Sequence, residues 1–204
     1  KAGVPWYYSD GPRYFTEGFA KVNELLILDH LAKNAKTDSD RLFYLREWNS
    51  KLASVKFASM YWAAYATSFE TEVYRRVKDG TASEPENIHE IWAQFGRLWM
   101  LNFDQFPDLK YTWAGTHHFF DASRYYFNYL FAWLLALSVY ERLDNDPSFS
   151  EKFLHAMKAG FYDEPTILLR TLGIDLADPK LFQRIFSVVE KRIIEFERLV
   201  QAGQ

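Results

Sequence analysis

The longest apolar stretch of the chain is Tyr125-Tyr-Phe-Asn-Tyr-Leu-Phe-Ala-Trp-Leu-Leu-Ala-Leu-Ser-Val-Tyr140, which runs for 16 residues and contains Asn128 and Ser138. A membrane-spanning helix needs about 20 predominantly apolar residues, so this stretch is too short, and too polar at one end, to cross a bilayer. We therefore predict that it forms a buried helix.

The rest of the sequence also has helical periodicity. Apolar residues recur every three or four positions, and the 7 prolines and 9 glycines lie mostly between these periodic segments. No segment alternates as a strand does, so we predict an all-α protein of seven or eight helices in one domain, residues 1–204. An irregular opening and a loop from Asn102 to Gly115 interrupt the pattern. The predicted helices cover about residues 16–34, 42–77 (one long helix or two), 83–99, 123–143, 148–159, 163–173 and 180–201.

Charge and cysteine content exclude several functions. The chain has 24 Lys and Arg against 27 Asp and Glu, a net charge of -3. It therefore lacks the basic excess that phosphate binding requires, and nucleic acid is not an expected partner. The absence of cysteine excludes disulfides and thiolate zinc sites and is compatible with a reducing compartment. The first residues lack the apolar region of a secretory signal, so we expect a cytoplasmic protein without a membrane partner.

One candidate site is the pair His117 and His118, which lies in a glycine-containing loop directly before the aromatic helix. Tyr125 and Tyr129 follow, four residues apart and so on one helix face. Packing of these rings in the core would explain their spacing. Alternatively, a phenol and a nearby imidazole in a dry cleft donate hydrogen bonds to the oxygen that becomes negative when water attacks a carbonyl.

Candidate metal ligands are few. Glu17, Lys21 and Glu24 share one face of the first predicted helix. They are either a solvated charged stripe or a metal-ligating carboxylate with a second acid that supports it. His89 and the following Glu resemble the start of a metallopeptidase helix motif, but Ala93 stands where the second histidine is required.

Three segments follow one another in an order found in a known enzyme group. The first is Phe15-Thr-Glu-Gly-Phe-Ala-Lys-Val-Asn-Glu-Leu-Leu26, and the second is Trp113-Ala-Gly-Thr-His-His-Phe-Phe120 with the tyrosine-rich helix after it. The third is the tail from Phe153 to Pro179. Together they resemble the C-terminal portion of the catalytic region of zinc metallopeptidases of the oligoendopeptidase F and thimet oligopeptidase group.

This resemblance implies that Glu17 is the third zinc ligand, that Glu24 supports it, and that His118, Tyr125 and Tyr129 position a short peptide substrate and stabilise the oxyanion. In such a site zinc activates a water molecule, the Glu of a His-Glu-x-x-His helix removes its proton, and the two histidines bind the metal. No His-Glu-x-x-His occurs in these 204 residues. We expect a C-terminal part of a zinc endopeptidase, inactive without the N-terminal portion of the same enzyme.

Two departures from the family pattern keep alternatives open. Ala20 stands where the family often has a small hydroxyl residue, and Phe127 occupies a position of the aromatic helix where the family has tyrosine. One alternative is a non-catalytic helical module, derived from that family, that binds peptides or acts as a scaffold. The other is a purely structural role for the tyrosine-rich helix.

Overall fold

The computed structural model describes residues 11–54 and 59–203. Most of these residues are helical, and none of them forms a β-strand. Within this described part the chain has nine α-helices and two 3-10 helices, Phe103–Gln105 and Pro107–Gly115. The α-helices are α1 (Arg13–Lys33), α2 (Asp38–Ala53), α3 (Met60–Lys78), α4 (Pro85–Trp99), α5 (His118–Asp121), α6 (Tyr125–Asn145), α7 (Phe149–Ala159), α8 (Pro165–Thr171) and α9 (Leu181–Ala202).

The predicted all-α class is confirmed. Of the two alternatives for residues 42–77, the structure has two helices, α2 and α3. The helix number exceeds the predicted seven or eight because α5 adds one short turn that no apolar periodicity signalled. The irregular opening up to residue 10, and residues 55–58, lie outside the described residues.

The start of α1 differs from the prediction. The helix begins at Arg13, nearly one turn before Thr16. The chain enters it through Pro12, whose carbonyl accepts a hydrogen bond from Phe15 N–H at 2.9 Å. Thr16 therefore lies inside the first turn, where its hydroxyl donates to the Arg13 carbonyl at 2.9 Å.

The prediction of a loop from Asn102 to Gly115 also needs correction. This segment contains the two 3-10 helices. A side chain of α4 anchors the second of them. The Trp92 indole N–H donates to the Leu109 carbonyl at 3.0 Å and lies 3.1 Å from the Thr112 hydroxyl. The order of this segment thus depends on a residue well before it in the sequence, which local periodicity does not reveal.

The chain divides into two compact units, which we describe separately. The larger unit combines the described residues of Lys1–Leu52 with those of Phe131–Gln204. Its core includes buried apolar side chains of α1, α2, α6 and α9. At Gly18, α1 packs so closely that a Cβ atom would lie 2.6 Å from Leu135 Cδ2. This contact sets the position of the α1 turn that carries Glu17.

The apolar stretch from Tyr125 to Tyr140 lies within α6, as predicted. All nine residues from Ala132 to Tyr140 are buried. Ser138 is among them, and its hydroxyl donates to the Leu134 carbonyl at 2.6 Å, so the helix satisfies this polar group itself. Within the described residues, no helix has the length and apolar character needed to cross a membrane.

The smaller unit, Ala53–Leu130, has an aromatic core around Trp92. Trp92 is fully buried, and its ring centroid lies 4.2 Å from that of Tyr65 and 4.8 Å from that of Phe69. The Tyr65 hydroxyl donates to the Trp92 carbonyl at 3.1 Å. These contacts join α3 to α4 and give the unit a core of its own.

Gly96 offers a test of this packing. A Cβ atom at Gly96 would lie 2.2 Å from the ring of Phe103, which is 4% exposed. We expect Gly96→Ala to lower the free energy of unfolding by about 1–3 kcal/mol, as overpacking does. Gly115→Ala is the matched control, because nothing lies within 4 Å of a Cβ there. Urea denaturation measures both, and a Gly96→Ala chain as stable as the wild type would contradict the packing described.

Candidate functional site

The first part of the candidate site lies in the smaller unit, where the chain passes from α5 into α6. His117 occupies the N-cap position of α5, and its carbonyl accepts hydrogen bonds from Phe120 and Asp121 N–H, both at 2.9 Å. The short helix ends at Asp121 with Ala122 as its C-cap residue, and α6 begins at Tyr125. The two elements are therefore joined by a tight connection that brings their side chains together.

His118, Tyr125 and Tyr129, which we call the His–Tyr cluster, lie in mutual contact. The ring centroid of His118 is 4.4 Å from that of Tyr125 and 6.3 Å from that of Tyr129. The two tyrosine rings are 5.3 Å apart in an edge-to-face arrangement. The structure thus brings together the three residues to which the family resemblance assigned substrate positioning.

The His–Tyr cluster is only partly accessible to solvent. Tyr129 is 9% exposed, and His118 and Tyr125 are half-buried. Burial lowers the pKa of His118, and the neighbouring His117 lowers it further, although Asp121 opposes the shift. The imidazole therefore favours its neutral form, in which one ring nitrogen carries a proton and the other is able to accept a hydrogen bond.

A buried acid that the sequence analysis missed lies beside this connection. Glu70 of α3 is 6% exposed, and its Oε1 accepts a hydrogen bond from Arg124 N–H at 2.6 Å and one from the Tyr74 hydroxyl at 3.2 Å. The spacing of residues along α3 could have indicated that Glu70 is buried. Position 70 is four residues after Ala66 and seven after Ala63, both fully buried, so it falls on the apolar face of α3.

The second part of the candidate site is on α1, in the larger unit. Glu17 is half-buried, and no described residue forms a hydrogen bond or ion pair with its carboxylate. Glu24 instead binds two ammonium groups, those of Lys21 and Lys51, each at 3.0 Å. Burial alone would raise the pKa of Glu24, but the two lysines outweigh it and the pKa is lowered. Glu24 is thus held as a carboxylate on the same helix as Glu17.

These side chains do not make a complete metal site. Among the described residues, no three His, Asp or Glu side chains lie close enough to hold a metal ion. The chemistry of Glu17 suits one ligand of a zinc site, but a single carboxylate supplies neither the ligand number nor the geometry. His89, set aside in the sequence analysis, packs between the rings of Tyr111 and Trp113 at 4.7 and 5.9 Å.

A cavity of about 610 Å³ lies elsewhere in the larger unit, between α1, α7 and α8. Its walls are largely apolar and include Phe15, Phe19 and Leu168. Neither Glu17 nor Glu24 lines it. The cavity therefore does not coincide with the candidate acids of α1.

Comparison with known proteins defines the class of the chain. A model of peptidase family M3 matches residues 6–188, and the chain therefore belongs to this family. The resemblance inferred from the three ordered segments is confirmed. No solved structure matches the chain.

The curated relatives are oligopeptidases by name. The chain is 24% identical over 201 residues to the oligoendopeptidase F homolog of Lactococcus lactis subsp. lactis (strain IL1403), and 25% identical over 201 residues to the group B oligopeptidase PepB of Streptococcus agalactiae serotype III (strain NEM316). Each alignment covers 98% of this chain and 33% of the relative. Oligopeptidase PepF of Bacillus subtilis (strain 168) is 20% identical over 205 residues, covering 96% of this chain and 29% of that protein. The chain thus spans about a third of the length of the curated relatives it matches.

Proposed function

We propose that this chain is the C-terminal part of the catalytic region of a zinc-dependent endopeptidase that hydrolyses short peptides. The observation that carries the proposal is the family match over residues 6–188, within which His118, Tyr125 and Tyr129 lie in contact. The names of the relatives, which are oligopeptidases, support short peptides as the substrate class. The N-terminal portion of the same enzyme is then the partner of this chain.

In this proposal the His–Tyr cluster acts on the substrate. A tyrosine hydroxyl and a neutral imidazole N–H are donors that stabilise a peptide oxygen as it becomes negative. Burial strengthens such hydrogen bonds because water competes less for them. The low exposure of Tyr129 and the lowered pKa of His118 support this role.

The acids of α1 have a different proposed role. Glu17 contributes one carboxylate to the zinc site, and the two histidines come from a His-Glu-x-x-His helix outside these 204 residues. Zinc bound in the complete site supplies an activated water for hydrolysis. Glu24, fixed by Lys21 and Lys51, supports the orientation of this helix face. The absence of cysteine supports a cytoplasmic enzyme.

The test is a peptidase assay on the complete polypeptide with an internally quenched peptide of about eight residues. We expect cleavage that a zinc chelator abolishes and that added zinc restores, because the metal supplies several kcal/mol of transition-state stabilisation. The 204-residue chain alone serves as the control and is expected to be inactive with or without added zinc. Peptide binding without cleavage, unchanged by the chelator, would instead support the non-catalytic peptide-binding alternative.

A further inference from the structure

The buried carboxylate of Glu70 has no part in the proposed hydrolysis. It does, however, bind the backbone of the connection between α5 and α6. Its Oε1 accepts the backbone N–H of Arg124, the residue directly before Tyr125. The hydrogen bond, at 2.6 Å, joins residues that are 54 positions apart. Glu70 therefore ties α3 to the residue directly before Tyr125, which is the first cluster residue on α6.

Arg124 itself has an unusual backbone. Its φ is +60°, the one positive φ among the described non-glycine residues. L-residues rarely adopt this left-handed conformation, because Cβ comes too close to the carbonyl oxygen. Such a residue keeps its conformation only when its surroundings hold it. The carboxylate of Glu70 accepts its N–H, and its guanidinium lies 5.5 Å from the centroid of the Tyr74 ring.

The consequence for the cluster is geometric. The connection between α5 and α6 sets the angle at which Tyr125 and Tyr129 leave the turn that follows His118. A backbone shift at Arg124 would therefore move both tyrosine rings relative to the imidazole. Displacements of about 1 Å in positioning groups cost enzymes as much as 100-fold in rate.

We propose that Glu70 is a positioning residue, which holds Arg124 in its left-handed conformation and so keeps Tyr125 and Tyr129 against His118. This inference rests on the proposed function of the His–Tyr cluster. Tyr74 completes the arrangement, because its hydroxyl donates to the same Oε1 atom of Glu70. A purely structural Glu70 would stabilise the fold without affecting the geometry of the three rings.

The experiment compares four variants of the complete enzyme. Glu70→Gln keeps the Oε1 acceptor, whereas Glu70→Met has a similar volume and no acceptor. Glu70→Asp keeps the charge but is one methylene too short to reach Arg124, and it remains informative if Glu70→Met does not fold. Glu72→Ala is the matched control, since Glu72 lies on the same helix and pairs only with Arg75 and Arg76 among the described ion pairs.

The kinetic readout is the separation of kcat from KM. We expect Glu70→Met and Glu70→Asp to lower kcat by about 10- to 100-fold with KM changed less than about threefold. Glu70→Gln should stay within about fivefold of the wild type, and Glu72→Ala within about twofold. Equal kcat values for Glu70→Met and Glu72→Ala, or a Glu70→Gln variant as slow as Glu70→Met, would overturn the proposal.

A second readout does not depend on activity. The His118 imidazole is followed by NMR in protein labelled with ¹³C-histidine, its resonance assigned through His118→Gln. In the wild type we expect its pKa below the ordinary value near 6.5, and in Glu70→Met and Glu70→Asp a shift back toward that value as the tyrosines move away. If the wild type cleaves no peptide, the proposed function fails, whereas an unchanged His118 titration in both of these Glu70 variants overturns the positioning role.

Discussion

Replacing Glu17 by alanine in the complete enzyme is expected to lower kcat/KM for a short peptide by at least about 1,000-fold, and to remove most of the bound zinc. Loss of one of the three proposed protein ligands would leave a site that holds zinc weakly, and a catalytic metal is worth several kcal/mol in the transition state. The fold should tolerate this substitution, because no described residue pairs with the Glu17 carboxylate. Atomic absorption and the quenched-peptide assay measure the two effects.

Two further variants make the Glu17 result specific. Glu190→Ala removes an exposed acid of α9 and is expected to change kcat/KM by less than about twofold. Glu24→Ala, which removes the proposed supporting acid, should give an intermediate loss of about 10- to 100-fold. Full zinc content in Glu17→Ala would show that this carboxylate is not a ligand, whatever the activity of the enzyme.

The second large effect is expected at Tyr129. Tyr129→Phe keeps the ring, which packs against Ala63, Ala66 and Tyr126, and removes only the hydroxyl. If this hydroxyl stabilises the oxyanion, kcat should fall by about 100- to 1,000-fold, as it does when one oxyanion donor is removed. Stability should change by no more than about 1.5 kcal/mol, the net value of one hydrogen bond. Steady-state kinetics on the quenched peptide measure kcat, and thermal unfolding measures the change in stability.

The structural alternative makes the opposite prediction for the same residue. If Tyr129 serves packing alone, Tyr129→Phe leaves turnover unchanged, and only Tyr129→Ala has a large effect, about 3–5 kcal/mol of stability. Tyr126→Phe is the matched control, since Tyr126 is the fully buried tyrosine of the same helix turn and has no proposed role in hydrolysis. A Tyr126→Phe enzyme as slow as Tyr129→Phe would favour the structural alternative.

Much of the architecture was predictable because helices depend on local signals. The apolar period of α6, the proline at the start of α4 and the glycine after α3 are all properties of neighbouring residues. The prediction failed in the segment from Asn102 to Gly115, where a distant residue decides the local structure. The 3-10 helix Pro107–Gly115 is held by the Trp92 indole, and nothing within that segment signals the contact.

In the candidate site, too, some features follow from neighbouring residues and others from contacts between distant residues. Glu17, His118, Tyr125 and Tyr129 could be nominated from spacing and family resemblance, because each lies within a segment of recognisable pattern. For Glu70 the helical spacing signalled only a position on the apolar face of α3, and the proposed role of its carboxylate follows from a hydrogen bond to a residue 54 positions later. Position 70 was predicted as part of a helix, and no local rule connects it to the turn before Tyr125.

The sequence by itself determined that this protein is helical, that α6 is a buried helix and that the chain resembles one peptidase group. Apolar periodicity, capping residues and ordered motifs are written into neighbouring positions, and helix formation responds to them directly. Only the tertiary structure decided that the rings of His118, Tyr125 and Tyr129 meet, and that a buried carboxylate holds Arg124 in a left-handed turn. Those contacts depend on how separate helices pack, and packing balances burial, hydrogen bonding and strain over residues far apart in the chain.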